Sequence, residues 1–164
     1  MPSPPISPAV LLSSAIRPAL AAMGPQFGGP DAEEMLLGIA AHESHCGEYL
    51  RQVGGGPALG IWQMEPAAHD DCWTNFLNYH EELAAVGRAL SGVMDLVQPL
   101  ASELETNPQY AAYMARVRLY RAKGALPPAG DLEAQAAYWK LNYNGPGKGT
   151  TDEYVANAHI YGGL

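Results

Sequence analysis

Cysteine is scarce in this chain of 164 residues: Cys46 and Cys72 are the only two, which allows at most one bridge and excludes a disulfide-stapled scaffold. Basic residues are also few. Nine Lys and Arg stand against 17 Asp and Glu, a formal net charge of −8, so the chain lacks the positive footprint that nucleic acid or an anionic lipid surface requires. No apolar run is long enough to span a bilayer; the longest candidate, Ala9 to Met23, is interrupted by Arg17 and Pro18 and has no basic stretch before it, which also argues against a signal peptide. Internal repeats and long alternating strand patterns are missing as well. What is present is a chain that is 48% hydrophobic and only 16% charged, with 18 glycines and 14 prolines. That composition describes one globular domain over residues 1–164, with prominent loops and a monomeric habit.

Periodicity predicts a mainly α fold. Residues 1–30 read as an extended Pro/Ser-rich extension, a kinked helix and a Gly/Pro loop from Gly24 to Pro30. Asp31, with Glu34 three residues on, has capping-box spacing and should open a helix from Ala32 to Cys46 that Gly47 ends. Gln52 to Gly60 holds three consecutive glycines and a proline, which predicts a small β or irregular insert near residues 50–64, with His69, Asp70 and Asp71 in a polar turn beyond it. Apolar residues recurring from Leu83 to Leu104 predict one helix from Asn78 to Asn107, kinked at Pro99. Further helices are expected from Gln109 to Lys123, from Asp131 to Leu141, and from Thr150, whose partner Glu153 completes a second capping box. The loop Asn142 to Gly149 joins the last two.

Three short segments carry the chemistry: Ala41-His42-Glu43-Ser44, Gly60-Ile61-Trp62-Gln63-Met64, and Asn142-Tyr143-Asn144-Gly145. In that order and spacing the chain resembles the soluble lytic transglycosylases and goose-type lysozymes, whose pattern is a helix-ending Glu-Ser, a Gly-x-x-Gln segment and a Tyr-Asn loop. Asn142 stands where that family usually has Ala, and Gly145-Pro146-Gly147 follows Asn144 directly. The resemblance implies a lysozyme-like fold and cleavage of the β-1,4 bond between N-acetylmuramic acid and N-acetylglucosamine in peptidoglycan strands. It also implies that Glu43 acts first as acid and then as base, closing a 1,6-anhydro ring without any cofactor. With no leader or membrane anchor in the sequence, the expectation is a bacteriophage-type lysin, made in the host cytoplasm and brought to the wall by another factor.

Physical chemistry points the same way. Glycosidic cleavage needs a carboxyl group still protonated near neutral pH, and a glutamate on the apolar edge of a helix C-terminus has its charged form disfavoured by burial and by the helix dipole. Around Glu43, Ser44 reads either as an organiser of the site or as a plain helix-end hydroxyl, and Gln63 either as a ligand to a sugar amide or to Glu43 or as a backbone brace. Gly60 belongs to the same motif. Tyr143 is expected to direct its hydroxyl at Glu43 or at a sugar acetamido group, and Asn144 to brace its loop; Trp62, Trp73 and Trp139 fit the core better than a sugar face. If the reaction were hydrolysis, Glu65, Asp70 or Asp71 would direct the water. From another class, a non-catalytic glycan-binding or virion structural protein would keep the fold without a protonated Glu43. His42, His45, Cys46, His69 and Cys72 have spacing for a four-ligand zinc site, but the helix pattern assigns them to core and turn, so no metal is expected.

Overall fold

The computed structural model describes residues 2–164 and is mainly helical; among the described residues the only β pairing is two isolated bridges, Arg51 with Leu59 and Leu59 with Met64. The N-terminal helix comes in three pieces: α1 (Pro8–Leu11), a π turn (Leu12–Ile16) and α2 (Arg17–Met23). Pro18 explains the break. It has no N–H to return to the preceding turn, and the carbonyl of Ser14 instead accepts from Gln109 Nε2 at 3.0 Å. The predicted kink is therefore a π turn, tied to a distant helix.

Helix α3 (Pro30–Ser44) runs through the core, burying Met35, Leu36, Leu37, Ile39, Ala40 and Ala41. Its start differs from the predicted capping box. Pro30 takes the first turn after Gly29, and the carboxylates of Asp31 and Glu34 instead accept from the backbone N–H groups of Ala129 (2.8 Å) and Gly130 (2.9 Å). Two acids near one helix start thus hold the loop before another helix. Gly38 allows the closest approach to α9 (Thr151–Gly162), since a Cβ there would lie 2.3 Å from the Tyr154 hydroxyl.

Residues 66–75 correct the expectation of a polar turn. They form α4 (Pro66–Asn75), with His69, Cys72 and Trp73 buried along one side. The long helix predicted over residues 78–107 is likewise not formed: α5 (Glu81–Ser91) stops at Gly92, whose φ of 74° reverses the chain, and α6 is the single turn Glu103–Thr106. Between them Val97 and Leu100 of the predicted stripe are exposed, as are Met94 and Leu96 beside them, so the helical spacing had no buried face behind it. Helix α7 (Pro108–Arg121) is the most deeply buried, with every residue from Tyr110 to Val117 inside; α8 (Leu132–Trp139) continues into a second π turn (Lys140–Asn144). The Thr150–Glu153 capping box opens α9 as predicted, and Asp131 caps α8. One continuous apolar core links residues from Leu11 to Ala158. Among the described residues no helix is long and apolar enough to cross a membrane.

Candidate active site

Helix α3 ends abruptly. His45, Cys46 and Gly47 take consecutive positive φ values of 52°, 55° and 91°, and the Cys46 N–H returns to the Ala40 carbonyl, so the chain turns away directly after Glu43-Ser44. Fully buried Ser44 accepts from the Gly47 N–H at 2.9 Å and donates to the Ile61 carbonyl at 2.6 Å. Ser44 thus bolts the end of the helix that carries Glu43 to the insert that follows.

Glu43 itself is half-buried. Its Oε1 accepts from the indole N–H of Trp139, at the end of α8, at 2.8 Å. Burial pushes its carboxyl up to about 7, against the opposing pull of the Trp139 N–H and the charge of Arg118. At neutral pH a large fraction of Glu43 is therefore a proton donor, and with Oε1 held by the indole, Oε2 is the oxygen left to carry that proton.

Glu43 opens into a cleft of about 900 Å³ that Gln63, Tyr143, Asn144, Arg118, Glu65 and Tyr49 help to line. Four of the six predicted site residues thus meet there, while Ser44 and Gly60 stand behind its wall. Gly60 is structural: at φ 79° a Cβ would sit 1.9 Å from the Leu104 carbonyl oxygen. Gln63, itself at φ 46°, donates from Nε2 to the Gly60 carbonyl at 2.9 Å, which braces the turn beside the cleft that Gln63 lines.

Tyr143 departs from expectation. Its hydroxyl is buried and donates to the Trp62 carbonyl at 2.7 Å rather than to Glu43, so the side chain pins the π turn to the insert and offers the cleft only part of its ring. Asn144 is the loop brace it was expected to be, accepting from Lys140 Nζ at 2.7 Å; the same ammonium donates to the carbonyls of Gly147 and Gly149. Trp62 is core, its indole donating to the Leu36 carbonyl, and Trp73 donates to the Tyr110 hydroxyl.

Sequence reasoning missed three contributors: Trp139 as the partner of Glu43, Lys140 as the clamp of the loop, and Arg118. For Trp139 a signal existed, because it lies four residues before Tyr143 on one helical face. For Arg118 nothing in the local pattern distinguishes it from any other helix arginine.

The residues of the zinc arrangement do not converge. His42 packs edge-on against Trp139 and pairs with Asn157, His45 stacks on Tyr161, and buried His69 bonds Asp70 and the Tyr110 hydroxyl. Both cysteines are free and buried, and the described residues hold no group of three or more His, Cys, Asp or Glu arranged for a metal. No family model, curated protein or solved structure matches this chain.

Proposed function

We propose that the chain degrades peptidoglycan, cutting the β-1,4 bond between N-acetylmuramic acid and N-acetylglucosamine as a lytic transglycosylase on a lysozyme-like fold. The observation that carries this is Glu43: a half-buried carboxyl in a large cleft, one oxygen fixed by Trp139, holding its proton up to about 7. Glu43 gives that proton to the glycosidic oxygen as the bond from C1 breaks. The resulting carboxylate then takes the proton of the muramic 6-hydroxyl while O6 bonds to C1, so Glu43 is regenerated and the product carries a 1,6-anhydro ring. The long central helix ending in the acid, the irregular wall at residues 50–64 and the loop after α8 fit the lysozyme-like reading. On this reading the protein is a bacteriophage-type lysin.

Hydrolysis is the second reading, and Glu65 favours it. Of the three carboxylates that sequence offered for directing water, Glu65 lines the cleft, whereas Asp70 is engaged by His69 and Gln98 and Asp71 by Arg121 and Asn75. Mass spectrometry of digested peptidoglycan separates the two. Anhydro-muropeptides support the transglycosylase, hydrated reducing ends the muramidase, and an intact sacculus refutes both.

A further inference from the structure

Arg118 is the arginine that lines the cleft of Glu43: of the three arginines without an ion pair among the described residues, Arg88 donates to the Val97 carbonyl and Arg116 to the Phe27 carbonyl, and neither borders that cleft. In a chain of net charge −8, Arg17, Arg51 and Arg121 each form an ion pair, with Glu33, Glu105 and Asp71. Arg118 is half-buried in the cleft and, although its charge reaches Glu43, it forms no ion pair among the described residues. Its guanidinium is nonetheless held in place: Nη2 donates to the Tyr143 carbonyl at 2.6 Å, and the group lies over the Tyr143 ring, 4.4 Å from its centre. The other N–H groups find no acceptor in the described protein. A fixed fork of donors in a partly desolvated cleft is suited to a planar carboxylate. Lys148, exposed on the loop after α8, adds a second positive charge to the lining of the cleft, to which exposed Glu65 adds a negative one.

We propose that Arg118 is a specificity residue of the cleft and binds a carboxylate on the lactyl arm of the muramic sugar. Two sources share that chemistry: the lactyl carboxylate of glycan stripped of peptide, and the first free carboxylate of an attached peptide. The proposal rests on the peptidoglycan reading and adds that the cleft distinguishes charged muramic strands from neutral aminosugar chains.

The test is calorimetric binding to the full chain carrying E43Q, which prevents turnover. Three tetrasaccharides serve as probes: a neutral N-acetylglucosamine oligomer, an amidase-stripped muramic oligomer, and the same muramic oligomer bearing its peptides. At low salt at least one charged probe should bind about ten- to a hundredfold more tightly than the neutral one, the range expected of a charge-assisted hydrogen bond. That advantage should shrink with added salt, and the tighter of the two charged probes names the carboxylate. Adding R118M should bring the charged probes down to the neutral one, while R118K, which keeps the charge but not the fork, should retain part of the advantage. A ratio between probes is unaffected by a general loosening of the cleft, and if R118M unfolds, R118K and the salt series still decide. Equal binding of all three probes, or an advantage that survives R118M, overturns the role of Arg118 alone. Binding of none overturns the glycan reading and this proposal with it.

Discussion

Glu43→Gln offers a test in which activity and stability should move in opposite directions. The amide is nearly isosteric and its oxygen still accepts from the Trp139 N–H, so the fold is kept; the proton donor is lost, and lysis should fall by about 10² to 10⁴. In the folded chain the carboxyl binds its proton up to about 7, against an ordinary 4.5 when unfolded. Between those pH values the folded state holds a proton the unfolded chain has released, so wild-type stability falls as pH rises through this window and levels off above it. At about 1.4 kcal/mol per pH unit the full difference is about 3 kcal/mol, and water reaching the open cleft reduces it to about 2 kcal/mol. Glutamine carries no such penalty. Relative to wild type, E43Q should therefore gain about 4 to 8 °C in Tm at pH 9 compared with pH 4. Melting curves of both proteins across that range, at fixed ionic strength, provide the measurement. A Tm difference independent of pH would show that burial does not hold the proton on Glu43, and the case for general acid catalysis would lose its physical basis.

The wild-type rate should itself fall as pH rises past about 7, because the protonated acid is the active form; a rate that climbs from pH 6 to 9 would contradict this. Trp139→Phe removes the indole N–H that favours the Glu43 carboxylate, so the alkaline limb of the pH–rate profile should move upward and the rate drop about tenfold; an unmoved limb would refute the assignment. Tyr143→Phe should cost about 1 to 3 kcal/mol of stability, since the Trp62 carbonyl is left unpaired inside, with activity per folded molecule nearly intact. A hundredfold rate loss at unchanged Tm would instead return the hydroxyl to the reaction centre. Gly60→Ala forces a Cβ against the Leu104 carbonyl at a positive φ, and a thermal melt should show more than about 3 kcal/mol lost.

Much of the helical frame is local information and was legible residue by residue. The Thr150–Glu153 capping box, the Asp131 cap and the helix expected from Gln109 to Lys123, formed over Pro108–Arg121, need only neighbours three or four positions away, and all were realised. The position of Glu43 at a helix end, beside apolar residues, was readable for the same reason. Periodicity misled where tertiary burial overrode it. The spacing of Val93, Val97 and Leu100 imitates a helix, but Gly92 turns the chain and Met94, Leu96 and Leu100 remain in solvent. His69 to Asp71, read as a polar turn, lie instead within α4, where His69 and Trp73 both bond the Tyr110 hydroxyl inside α7. Within the site, the determining bonds join groups far apart in the chain: Trp139 to Glu43, Tyr143 to the Trp62 carbonyl, Ser44 to the Ile61 carbonyl, Arg118 to the Tyr143 carbonyl. A motif names the side chains that meet, but the atom on which a hydroxyl or an N–H ends depends on backbone carbonyls exposed by turns elsewhere. Sequence alone singled out Glu43 and three segments as candidates, because a motif is local; only the packed chain decided that Trp139 bonds the acid, that Tyr143 holds the wall, and that Arg118 lines the cleft, because those contacts join residues far apart in the chain.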